Sequence, residues 1–165
     1  MAVGNGAHAL GASSIAVGTS AHSYSDNSIA IGNGSYVAAT GTLGYYGGYA
    51  PAATQGIAIG NGASVTGVNG AAVGVNASAS GVYSSAFGSS SNAGGAYSTA
   101  LGDSANASGN FTTAVGRNAH ATATSANALG YNAQATGYFS NALGTDSVAS
   151  GYASTAVGQQ AYATG

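Results

Sequence analysis

The sequence predicts an all-β, parallel β-solenoid of about twelve 14-residue coils, with two short strands in each coil. Three observations predict it: a tripeptide that returns once per coil, turn-forming residues between short β-runs, and a composition almost without charge.

The tripeptide is Ala-apolar-Gly, beginning at Ala2-Val3-Gly4 and returning at Ala16, Ala30, Ala58, Ala72, Ala86, Ala100, Ala114, Ala128, Ala142 and Ala156. These eleven matches keep one register, and a single interval, from Ala30 to Ala58, is doubled. The missing match falls in GTLGYYGGYAPAATQG, which holds the only proline, Pro51. A degenerate or loop-bearing coil is expected at about 42–57. Either one coil departs from the pattern there, or Thr42-Leu43-Gly44 is a displaced motif and a Gly-Tyr loop absorbs the slip in register.

Within one repeat, Ser84 to Gly88 and Ser91 to Gly95 read as two strands of about five residues, separated by turns rich in Gly, Asn and Ser. The chain has 29 Gly and no helical apolar period, so helix is excluded. The whole of 1–165 reads as a single domain of these repeats.

Side chains alternate across a strand, so small and large columns separate. Ser84, Ala86 and Gly88 share one face; Ser85 and Phe87 share the other. In the second strand the columns of Ala77 and Ala79 are small throughout. A flat coil of this length has room inside only for Ala, Ser and Gly, so the small faces point inward. Val3, Val17, Ile31, Ile59, Val73, Phe87, Leu101, Val115, Leu129, Leu143 and Val157 therefore form one outward apolar ladder.

The column beside the ladder starts as Ile15, Ile29, Leu43 and Ile57 and ends in Thr113, Asn127, Asn141 and Thr155. The second strand points His22, Ser78, Asn92, Asn106 and Gln134 to water, with a Ser/Thr column one alternation further on. Burying eleven ladder side chains is worth roughly 1.5–3 kcal/mol each before entropy. A partner chain is the natural cover, and identical chains usually close into symmetric rings. Two or three chains suit the geometry.

Charge excludes several functions. Arg117, Asp26, Asp103 and Asp146 are the only formally charged side chains, 2% of the sequence against about 25% in an ordinary domain. A net charge of -2 is wrong for nucleic acid or for an anionic membrane surface, both of which are met with Lys and Arg. Residues 1–6, MAVGNG, lack the profile of a signal peptide, so if the protein is exported its signal is expected outside this chain. With no Cys there is neither a disulfide framework nor a thiolate metal site.

No catalytic, metal or cofactor site is expected. His8, His22 and His120 share an outward column without a Cys or Glu beside them, which favours exposed imidazoles over a metal site. Asp103 and Asp146 lie three coils apart, too far for paired-carboxylate catalysis. The candidate ligand contacts are aromatic. Tyr45, Tyr46 and Tyr49 cluster where the repeat breaks and are the preferred ligand-contact surface. Tyr83, Tyr97, Phe111 and Phe139 recur in one corner column, with Tyr138 and Tyr152 beside it; ligand anchoring and packing between neighbouring chains both suit them.

The pattern S-x-A-φ-G-x-x-A-x-A-x-x-G, where φ is an apolar residue, resembles the head repeat of trimeric autotransporter adhesins, typified by the Yersinia adhesin A head, over nearly the whole sequence. The resemblance implies a left-handed parallel β-roll, a homotrimer with two identical partner chains around one axis, and a place on the bacterial outer surface, in an outer-membrane-anchored virulence factor. It implies attachment to extracellular matrix, host cells or abiotic surfaces, with no direct membrane contact from this segment. Neck, stalk and membrane anchor are expected outside these residues. A stiff spacer, such as part of a phage tail fibre, is the alternative, and an ice-binding solenoid a third, which the mixed outward columns disfavour.

Overall fold

The structure is a computed structural model that describes residues 1–38 and 55–164. Two parallel eleven-stranded sheets face each other across a thin interior. One, the ladder wall, is built from Ala2–Val3, Ile15–Val17, Ile29–Ile31 and the eight strands that follow at the same point of each coil, ending at Thr155–Val157. The other, the polar wall, runs from His8–Ala9 to Tyr162–Ala163. Successive strands alternate between the walls, so every coil contributes one strand to each. The described residues contain no helix.

Register follows the repeat. Phe87 pairs with Leu101, Leu101 with Val115 and Val115 with Leu129, each partner one repeat further along the chain. Backbone hydrogen bonds run from coil to coil, as in Ser85 N–H to Ser98 O at 2.9 Å and Gly102 N–H to Phe87 O at 2.8 Å. Such stacking satisfies the amides of a sequence with too little apolar bulk to bury them otherwise. Across the doubled interval, Ile29, Ala30 and Ile31 pair directly with Ile57, Ala58 and Ile59. The described stack thus has eleven coils, where the repeat count leads to about twelve. The expected irregular stretch at about 42–57 lies, but for residues 55–57, outside the described residues.

The strands are two or three residues long, shorter than the five expected. Corners take up the difference. After each ladder strand comes a Gly in a conformation that side chains rarely adopt, with φ of 134° at Gly88 and 129° at Gly116. That Gly begins a turn whose carbonyl accepts the amide three residues on, as Gly88 O does from Ser91 at 3.3 Å. Among the described residues a second turn precedes the later ladder strands, and in four coils it is closed the same way, as by Ser140 N–H on Gly137 O at 3.2 Å. In both turns the third residue has positive φ, which favours Gly and Asn, and Asn27, Asn69, Asn76, Asn118 and Asn132 occupy it in five places.

The interior is made of small side chains, as the alternation predicts. Ser84, Ala86, Ser91 and Ala93 of one coil all have zero exposure, and their columns continue buried above and below. Val37 and Val65 are the largest fully buried side chains, and glycines adjoin them: Gly56 beside Val37, Gly70 beside Val65. Close packing at this density leaves no room for a larger pair.

Candidate binding surfaces

The same alternation that buries Ala16, Ala30 and Ala86 turns Val17, Ile31 and Phe87 outward. All eleven ladder residues face away from the interior. Val17, Val73, Val115 and Leu143 are half-buried by their neighbours; Leu101 is 47% exposed and Ile31 38%. The ladder is continuous from coil to coil by direct pairing and forms an apolar strip along the whole described stack. Beside it, Asn127 donates its side-chain amide to Asn141 Oδ1 at 3.0 Å, so the polar end of the flanking column is itself laddered.

The polar wall brings His8 and His22 together edge to face, with ring centroids 5.1 Å apart. His120 stands in the same column, between Asn106 and Gln134. No group of three or more His, Cys, Asp or Glu able to hold a metal occurs among the described residues. Around His22 the structure gathers Tyr24 and Tyr36, at 5.3 and 6.4 Å. Tyr24 and Tyr36 meet edge to face at 5.7 Å. This cluster was not anticipated from the sequence, yet its signal is there: Tyr36 follows His22 by one repeat, and Tyr24 follows it by one side-chain alternation.

The charged side chains link neighbouring coils. Arg117 lies 3.5 Å from Asp103, one coil away, and its guanidinium sits 5.7 Å from the centre of the Tyr131 ring. Asp146 accepts from the Asn132 amide at 2.8 Å, and Asp26 from the Ala12 backbone N–H at 2.6 Å. Each pairing crosses a coil boundary, so these charges are engaged in coil stacking and are not grouped around a reacting centre.

At the corner that precedes the ladder strand, Tyr83, Tyr97 and Phe111 stack in succession. Their centroids are 5.2 and 5.3 Å apart, with planes within 16° and 5° of parallel. Phe139 occupies the same column and meets Tyr152 edge to face at 5.7 Å. Tyr45, Tyr46 and Tyr49, the preferred ligand-contact candidates, lie outside the described residues, as do Leu43 and Pro51.

Two parallel walls, an interior of Ala, Ser and Gly, and an outward apolar strip define a repetitive β-solenoid with a continuous apolar surface. A model of the YadA head domain repeat matches residues 1–21, 9–35, 52–77, 66–91, 93–119, 121–147 and 149–165. The chain belongs to the YadA head repeat family, the head of trimeric autotransporter adhesins. The matched segments pass over residues 36–51, where the Ala-apolar-Gly motif is also missed. Heads of this family form homotrimers in general and are displayed on the bacterial cell surface, and the family is not one of enzymes. Comparison with curated proteins returns no match to the sequence.

Proposed function

We propose that the chain is the adhesive head of a homotrimeric bacterial surface protein, attaching the cell to extracellular matrix, host cells or abiotic surfaces. The observation that carries this reading is the unbroken apolar ladder from Val3 to Val157 on a solenoid with only four charged side chains. The ladder faces two identical chains across a common axis, and the polar wall and corners are left for contact with the target. Three chains, each with eleven similar coils, multiply weak contacts through effective concentration. The Gly44-to-Pro51 stretch, with Tyr45, Tyr46 and Tyr49, belongs to that contact surface as an aromatic departure from the repeat.

Binding of the purified head to immobilised collagen, fibronectin, laminin and plastic tests the adhesive role, with the oligomer verified by light scattering in the same sample. Saturable binding to at least one surface is expected. Blank results on all of them from an intact trimer leave the head as a stiff spacer.

A further inference from the structure

The corner aromatics stand where a turn is least suited to them. Tyr83, Tyr97, Phe111 and Phe139 have φ between 56° and 59°, a region that bulky residues seldom enter and that costs them roughly 1–2 kcal/mol each. Asn27, Asn69 and Ser13 fill the same turn position in other coils. The rings also remain about half exposed, Phe111 at 58% and Phe139 at 50%, so the interior gains little from them. Tyr83, Tyr97 and Phe111 do form a stack, and one coil without a ring in this column separates it from Phe139, the next one.

Ser125 stands in that coil. The turns rise coil by coil, Phe111 N–H bonding to Ala96 O, Ser125 N–H to Asn110 O, and Phe139 N–H to Thr124 O. Ser125 therefore lies one coil from Phe111 and one from Phe139, with φ of 59° like both. One face of Phe111 is covered by Tyr97 at 5.3 Å. Its other face looks along the stack toward Ser125, which has no ring to offer. Two coil spacings separate the Phe111 and Phe139 rungs by about 10 Å. One flat ring at the midpoint would stack on the free face of Phe111 at about 5 Å and lie at a similar distance from Phe139, whose ring stands edge to face with Tyr152, within the range for a stacked or edge-on aromatic contact.

We propose that the missing rung at Ser125 is a binding slot for one uncharged planar aromatic ring, such as a Trp, Tyr or Phe side chain on an extended segment of a partner protein. The guest completes the ladder by repeating the contact that Tyr97 already makes with Phe111. Charge supports a neutral guest: Arg117, Asp103 and Asp146 belong to the opposite corner of the coil, and Asp26, the one charge at the aromatic corner, stands in the turn of Asn27, several coils from Ser125, and is engaged with the Ala12 N–H. The slot rests on the ring geometry and stands independently of which surface the head adheres to.

The chain has no Trp, so the emission of N-acetyl-tryptophanamide reports the guest alone. Titrated with the whole chain, this probe is expected to show a saturable blue shift with rising anisotropy. Ser125→Phe supplies the missing rung from within and is expected to abolish the signal while the chain still folds, since Phe111 and Phe139 are tolerated in that backbone conformation. Phe111→Ser removes one stacking face and is expected to weaken binding about two- to tenfold. The proposal is overturned if wild type shows no saturable binding, as when a neighbouring chain already covers this corner. It is equally overturned if Ser125→Phe binds the probe like wild type, or if methyl glucopyranoside displaces the probe at equal concentration, which would make the slot a sugar site.

Discussion

Val65 fills the room that Gly70 leaves: a β-carbon on Gly70 would lie 2.9 Å from Val65 Cγ1. The same two columns meet in other coils as Ser23 and Ser28, whose hydroxyls are 2.6 Å apart, and as Ala79 and Ser84, both fully buried. Cross-interior volume is thus conserved while its division between the walls changes. Gly70→Ser is expected to cost about 1–3 kcal/mol by overpacking, and Val65→Ala about 2 kcal/mol by leaving a cavity. Combining Val65→Ala with Gly70→Ser rebuilds the Ala79–Ser84 pair and should recover at least about 1 kcal/mol of the summed loss. Denaturant unfolding of the two single variants and the double variant measures the coupling; strict additivity contradicts the shared volume.

Two glycines should answer differently to substitution. At Gly116, φ is 129° and a β-carbon would lie 2.4 Å from Gly130 O, a backbone atom that cannot move aside. Gly116→Ala is expected to destabilise by about 3 kcal/mol or more, combining backbone strain with a broken coil contact. At Gly34, φ is 64° and nothing lies within 4 Å of a β-carbon. Asn takes the equivalent place at Asn76 and Asn118, so Gly34→Asn should change stability by less than about 1 kcal/mol, its sign favourable where the unfolded chain loses freedom. Thermal melts of the two variants, side by side, check the contrast.

Much of this architecture was legible because the coil repeat and the side-chain alternation together assign nearly every residue to a wall and a face. Ala86 inside and Phe87 outside follow from those periods alone. What the periods do not contain is contact between columns. The match of Val65 to Gly70 crosses the interior, and its distance depends on how closely the walls approach. The stack of Tyr97 on Phe111 depends on rotamers at a left-handed turn position, so the sequence shows a column of rings without showing that they are parallel. The doubled interval between Ala30 and Ala58 left two readings, and only the pairing of Ile29 with Ile57 brings those coils together. The family's homotrimers rest on contacts between chains, which no column within one chain records.

Arg117 and Asp103 form a pair with most of each side chain in water, 62% and 50% exposed. Exposed pairs of this kind are worth well under about 1 kcal/mol and are screened by salt. Arg117→Ala is therefore expected to lower stability by less than about 1 kcal/mol, including what it loses over the Tyr131 ring. Unfolding at low and at molar salt should give nearly the same difference between variant and wild type. A large loss that persists at molar salt would mean that this pair is covered in the assembled protein.

The apolar ladder gives the sharpest test of assembly. Val115 is half-buried and Leu129 38% exposed, so an aspartate at either position is solvated in a lone chain and leaves its fold intact. Against two partner chains the same carboxylate would be buried without a cation, because the ladder strands hold none. The desolvation penalty amounts to several kcal/mol for each chain and is repeated three times around the axis. Val115→Asp and Leu129→Asp are therefore expected to yield monomers by light scattering with circular dichroism close to that of wild type. The matching change on the polar wall, Gln134→Asp, should leave the trimer intact. If Leu129→Asp remains trimeric while Gln134→Asp dissociates, the chains meet through the polar wall, and the ladder is the surface that awaits a ligand.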